Sequence, residues 1–122
     1  MKAGELISAF DDLRPNQYTA AQKLVWLREL DMMIHDELVA THETPDAPAR
    51  PQAAYTAATD LLAEEPYAAP LYTAFLGSRV DLYNAEIQRY NQSVRLFTDA
   101  WRQYADYINR TSAPLGVRTL RV

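Results

Sequence analysis

The sequence predicts an all-α protein: a small bundle of three to four helices, with a long proline-containing loop over 44–66 and an extended C-terminal tail over 112–122. Three observations predict it. Apolar residues recur at helical spacing through three long stretches. A capping box opens the second of them. Between Ser78 and Pro114 there is neither glycine nor proline to break a helix. At 122 residues the chain fits a single domain over 1–122, and 48% hydrophobic with 23% charged residues is the balance of a globular protein, neither disordered nor fibrous.

The first helix is expected over 3–13, where Leu6, Ile7, Phe10 and Leu13 share one face and Arg14-Pro15-Asn16 stops the run. Thr19-Ala20-Ala21-Gln22 then reads as a capping box, with the Thr hydroxyl serving the amide three residues on and Gln22 reaching back. From Ala20 to about Thr41 a second helix follows, about 33 Å long at 1.5 Å per residue. Ala20, Leu24, Leu27, Leu30, Ile34 and Leu38 form its main apolar stripe, with Trp26 and Met33 at the edge. Val25, Met32 and Val39, spaced by seven, fall on a different face. That second stripe is open between core and partner contact, because few folds of this size can wrap so long a helix completely.

Three prolines between Thr44 and Pro51 mark a loop. Residues 52–66 are rich in Ala and Thr, and the weak pattern favours a long ordered loop pinned by Leu61 and Leu62 over a short helix. After Pro66 comes the strongest periodicity. Tyr72, Leu76, Tyr83, Ile87, Tyr90, Val94, Phe97, Trp101, Tyr104 and Ile108 lie on one side of a helical wheel. Asp81, Asn84, Gln88, Gln92, Arg95, Asp99, Arg102, Asp106 and Arg110 lie opposite. Either one long helix or two joined in register fits, and a tight turn near Tyr90-Asn91-Gln92-Ser93 is the natural break, since Asn and Ser cap helices well. The tail from Pro114 to Val122 alternates apolar and polar residues as a short strand would and has no acidic group.

Composition closes off several functions. Without cysteine there is no disulfide, thiolate metal site or cysteine nucleophile. Three glycines write no phosphate loop or dinucleotide fingerprint. No apolar run approaches the length of a membrane span, and the N-terminal residues do not read as a signal peptide, so a protein made and kept in the cytosol is expected. The net charge of −4 disfavours a basic nucleic-acid stripe. Its distribution is uneven: residues 1–65 carry five basic and twelve acidic groups, residues 66–122 seven and four. Ends of opposite sign suit a molecule whose copies attract one another.

Candidate chemistry is sparse. Only His35 and His42 are present, and the Glu-x-x-His spacing of helical di-iron proteins is missing, so no metal site is expected and Asp31 with His35 reads as a surface pair on a solvated helix. The acidic pairs Asp11-Asp12, Asp36-Glu37 and Glu64-Glu65 are sequence neighbours and diverge on a helix, whereas acid–base catalysis needs facing groups. No serine stands in a nucleophile motif. Tyr72, Tyr83, Tyr90 and Tyr104 share the apolar stripe with Phe97 and Trp101, which favours core packing over base stacking. No catalytic, cofactor or metal residue is assigned, and no enzymatic activity is expected. The candidate site is instead an interface made of Val25, Met32, Val39, Arg110, Arg118, Leu120 and Arg121.

Specific residues add a resemblance. Pro15-Asn16-Gln17-Tyr18-Thr19, Gln22-Lys23-Leu24 and Trp26-Leu27-Arg28-Glu29-Leu30-Asp31 are followed by Pro66-Tyr67, Leu71-Tyr72 and Asp81-Leu82-Tyr83-Asn84-Ala85-Glu86. Then come Arg89-Tyr90-Asn91-Gln92-Ser93, Tyr107-Ile108-Asn109-Arg110-Thr111 and Pro114. In order and spacing this resembles the head–tail connector (adaptor, head-completion) proteins of tailed phages and prophages of Gram-positive bacteria, over roughly residues 13–114. The resemblance implies a mostly helical structural virion protein without catalytic residues or cofactors. It would assemble as a homo-oligomeric ring between the portal protein and tail-side proteins, with DNA passing through the lumen without specific binding. The implied location is the virion, and the host cytoplasm during assembly, with no membrane partner. Ala85 stands where the family leads one to expect glycine, which speaks against a helix kink there. The alternative function is a small helical nucleic-acid-binding regulator using Arg110, Arg118 and Arg121; a helical-bundle enzyme or metal protein comes third.

Overall fold

The computed structural model describes residues 1–43 and 47–112. Among them are four α-helices: α1 (Ala3–Leu13), α2 (Ala20–Ile34), α3 (Ala68–Tyr83) and α4 (Ile87–Thr111). No strand is formed among the described residues. The chain is a small all-α bundle, as its periodicities predict. Arg118, Leu120 and Arg121, and with them the expected strand-like tail, lie outside the described residues.

Helix α1 starts where the sequence puts it and buries Leu6, Ile7 and Phe10. Its first amides, which have no partner within the helix, are met by a distant segment. Ala3 N donates to Thr59 O at 2.8 Å and Gly4 N to Ala57 O at 2.9 Å, while Leu61 N donates back to Met1 O at 3.0 Å. This close approach needs the missing side chain of Gly4, since a Cβ there would sit 2.8 Å from the Ala57 Cβ. Residues 47–67 contain no helix, yet Leu61 and Ala63 are buried and Tyr55 and Leu62 are packed against the core. The segment is therefore a cap on α1 as much as a connection.

The capping box of α2 is formed on both sides: Gln22 N donates to Thr19 Oγ1 at 3.1 Å and Thr19 N to Gln22 Oε1 at 2.8 Å. Trp26, Leu27, Leu30 and Ile34 are buried. Ala20, expected on the same stripe, is exposed at the first turn. The α-helix does not run on to Thr41. It ends at Ile34 and passes into a π-helical turn over His35–Val39, in which Ala40 N donates to His35 O at 2.8 Å. Leu38 stays buried through this change.

The largest correction concerns the second half. The break lies at Asn84–Glu86, not at Tyr90–Ser93, which belong to the opening turns of α4. Glu86 N donates to Asp81 O at 3.0 Å and Ala85 N to Leu82 O at 3.1 Å. These are the two bonds of a Schellman motif, whose next residue is usually glycine in the left-handed region. Here it is Ala85, at φ 56°. An alanine performs the turn that its presence argued against.

After this turn α4 runs back along α3. Asp81 meets Ser93, Phe75 meets Phe97 and Tyr67 meets Tyr107, a sequence of pairs that only an antiparallel hairpin produces. Folding back also explains two misplaced groups. Asp81 would face solvent on a continuous helix but is buried in the hairpin interface. Tyr83 and Ile87 would continue the apolar stripe but sit at the apex, 60% and 74% exposed. Helix α3 is the centre of the fold, buried at Leu71, Tyr72, Phe75, Leu76 and Val80, with α1, α2 and α4 packed around it.

Candidate functional site

The interior polar groups come first because they fix the surface above them. Asp31 is fully buried and is not a surface partner of His35, whose Nδ1 lies 3.5 Å from Asp36 Oδ1 instead. Asp31 accepts hydrogen bonds from the hydroxyls of Tyr55, at 2.6 Å, and Tyr72, and from Leu62 N at 3.3 Å. Ala63 N donates to the Tyr72 hydroxyl at 2.9 Å. Burial raises the Asp31 pKa above the ordinary carboxylate value, and these donors only partly offset it. Loop 47–67 is thereby tied to α2 and α3 through one carboxylate.

A second cluster joins α1 to the hairpin. Asp81 pairs with Arg14 and accepts from Ser93 Oγ at 2.6 Å, while Arg14 Nη1 reaches Gly77 O at 3.4 Å. Burial pushes the Asp81 carboxyl up, but Arg14 and Ser93 outweigh it and hold its pKa below the usual range. Lys23, also buried, donates to Asp11 at 2.6 Å and to Tyr18 O at 2.9 Å. His42 is buried rather than solvated. Its Nδ1 lies 2.8 Å from Leu38 O and its Nε2 2.7 Å from Asn109 Oδ1, joining the end of the π turn to α4. Tyr18 donates to Asn84 Oδ1 at 2.7 Å, fixing the α3–α4 turn to the start of α2. Each of these buried groups is already satisfied by the fold and serves to lock it. Among the described residues no three His, Asp or Glu side chains gather to hold a metal.

The outer surface is where function has room. Val25 is 57% exposed on α2. Met32 is half-buried, and Val39 is half-buried and packed against the core. The heptad stripe thus grades from solvent at its N-terminal end to core margin at its C-terminal end. Near Val25, Trp26 stacks on Tyr83 with centroids 5.6 Å apart and planes 9° from parallel, and Tyr18 closes the cluster. Arg110 is exposed in the last turn of α4, where a cation suits the helix dipole. It is remote in sequence and element from Val25, and no bond joins them among the described residues.

A further feature was not expected. An open groove of about 570 Å³ runs between α1 and α4 over the floor of α3. Pro70, Ala74 and Gly77 make the floor, and Leu13 and Leu96, 76% and 64% exposed, make the rims. Leu13, which the sequence pattern puts on one face of α1 with Leu6, Ile7 and Phe10, is exposed at the end of the helix while those three are buried. The signal for the groove was present in the small residues at 70, 74 and 77, but only the fold-back of α4 creates its second wall.

The comparisons with known proteins find no family model, no curated protein and no solved structure that matches the chain. Among the described residues no helix is long and apolar enough to cross a membrane.

Proposed function

We propose that the chain is a structural subunit of a phage head–tail connector, acting through protein–protein contacts in a ring between portal and tail. The observation that carries this reading is the ordered set of residues resembling that family from Pro15 to Pro114. Its members are the ones that build the polar frame: Tyr18 with Asn84, the Thr19–Gln22 cap, Lys23, Asp31 with Tyr72, and Asp81 with Ser93. A signature made of such residues specifies a scaffold, and a scaffold protein works through its surface. That surface carries large apolar groups on unlike elements, Val25 and Tyr83 in one place and Leu13 and Leu96 in another. Two dissimilar patches are what a closed ring with head-to-tail contacts requires. The acidic net charge of the chain would let DNA slide past without being gripped.

The test is genetic and structural. Deleting the gene from the phage or prophage that encodes it is expected to leave filled heads and finished tails unjoined, and electron microscopy of wild-type particles is expected to show the protein as a ring at the neck. Intact infectious particles made without it would refute the proposal. Tight, salt-sensitive binding of the purified chain to duplex DNA would favour the regulator instead.

A further inference from the structure

We infer that the groove between α1 and α4 receives the outer face of α2 from a second copy of this chain. This deepens the connector reading by naming the joint that repeats around the ring, and it rests on four features.

The first is position. At 3.6 residues per turn, Pro70, Thr73, Ala74 and Gly77 fall roughly half a turn around α3 from Tyr72, Arg79 and Tyr83. Those three reach α2, by the Tyr72–Asp31 bond, the Arg79–Glu29 ion pair at 3.2 Å and the Tyr83–Trp26 stack. The groove therefore opens on the side of α3 opposite α2. An interface between groove and α2 cannot be satisfied mutually by two copies; each copy offers one half to a different neighbour, which is the head-to-tail case.

The second is shape. The α4 wall from Ser93 to Gln103 is about 15 Å long, and the exposed apolar stretch of α2 from Val25 to Met33 is about 12 Å. A helix laid in a groove reads as anchors three, four and seven residues apart; Val25 and Met32 are seven apart, with Met33 beside Met32. Third, the floor is shallow in side chain at Ala74, while at Gly77 the Arg14 guanidinium and the Ser93 hydroxyl already lie over the backbone, so a helix can approach α3 at the Pro70–Ala74 end, between the Leu13 and Leu96 rims.

The fourth is charge. Asp99 stands on the groove wall without an ion-pair partner among the described residues. Arg89 stands about 15 Å away along α4, at the end where Arg14, Asp81 and Ser93 meet, in a solvent-exposed pair with Glu86 at 3.3 Å. Arg28 on α2, which donates to Gln52 O at 2.5 Å, and Asp36 in the π turn that follows, exposed and 3.8 Å from the also exposed Arg50, are about 12 Å apart. With α2 antiparallel to the neighbouring α4, Arg28 meets Asp99 and Asp36 meets Arg89. The reversed orientation would set like charges together. Orientation is thus selected by sign.

The absence of native cysteine makes the contact directly measurable. Val25→Cys, Leu96→Cys and, as an exposed control on the 47–67 segment, Ala58→Cys are made in separate full-length chains, mixed in pairs at millimolar protein and treated with a short bismaleimide. Val25→Cys is expected to couple to Leu96→Cys about tenfold faster than Ala58→Cys does, because docking holds the thiols at high effective concentration. Adding Leu13→Asp to the Leu96→Cys chain is expected to abolish that excess while leaving its thermal unfolding unchanged. Equal coupling to the control, or preferential coupling of Val25→Cys to itself, overturns the contact. Rings that form without this crosslink also overturn it and leave the connector reading standing.

Discussion

Replacing Tyr72 by Phe removes one oxygen atom and tests the buried node at Asp31. The ring keeps its place in the core, so little packing is lost. Two buried groups lose their partner together: an oxygen of Asp31, and Ala63 N, which donates to the same hydroxyl. Leaving a buried polar group unsatisfied costs about 1–3 kcal/mol, more when it is charged, so the expected destabilisation is about 3 kcal/mol. For a domain of this size that lowers the melting temperature by about 10 °C. Tyr55→Phe removes the other hydroxyl from the same carboxylate, but Tyr55 is only half-buried and water can take its place, so about 1 kcal/mol is expected. Urea unfolding followed by far-ultraviolet circular dichroism measures both, with the midpoint moving and the slope unchanged. The pH dependence has a definite sign. Because Asp31 is raised in the folded state, its folded form binds the proton more tightly, and the stability it contributes in acid is lost as pH rises from the unfolded value through the folded one. The Tyr72→Phe deficit should accordingly be largest at neutral pH and shrink as Asp31 takes up its proton. Equal costs for the two variants, or a Tyr72→Phe cost under about 1 kcal/mol, would refute the account of Asp31 as a desolvated charge held by its donors.

Arg14→Ala strips the countercharge from buried Asp81 and should cost about 3 kcal/mol. Since the Asp81 pKa is lowered in the folded state, its contribution is present above the unfolded value and disappears as pH falls through the folded one, so the variant's deficit should narrow in acid; urea titrations at several pH values measure this. Ala85→Gly relieves a left-handed alanine. Relief of about 1–2 kcal/mol less the added chain entropy of glycine predicts a gain of about 0.5–1 kcal/mol in thermal unfolding. Gly4→Ala forces a Cβ against Ala57 and should lose about 1–3 kcal/mol, with faster hydrogen exchange at the Ala3 and Gly4 amides.

The helices were legible wherever local signals were complete. The Thr19–Gln22 box and the 3.6-residue period of α1 and α2 require no knowledge of the rest of the chain. The hairpin was not legible, because Tyr83 and Ile87 are four residues apart and the apolar phase passes smoothly across a reversal of direction. Ala85 carries the stop signal in its backbone conformation and not in its side chain. From that one turn follow the misplacement of Asp81 as a solvent-facing group, that of Ser93 as a cap at the break, and the absence of the groove from the sequence pattern. Asp31 was misread for a different reason: its partners Tyr55, Leu62 and Tyr72 come from segments 24 to 41 residues away, and spacing along one helix cannot reveal them. Within the candidate interface, the exposure of Val25 agrees with a stripe left over from the core. Val39 does not stand so clear, since it packs against the core.

The stitching of Ala3 and Gly4 to Thr59 and Ala57 has a consequence for how the molecule assembles itself. Those bonds close a circuit of more than fifty residues, whereas the hairpin of α3 and α4 is closed across three. Loop-closure entropy makes the short circuit the cheaper one to form first. Residues 1–4, although earlier in the chain than everything they bond to, are then the piece that waits, taking their place only after the middle of the chain has been laid over the finished hairpin.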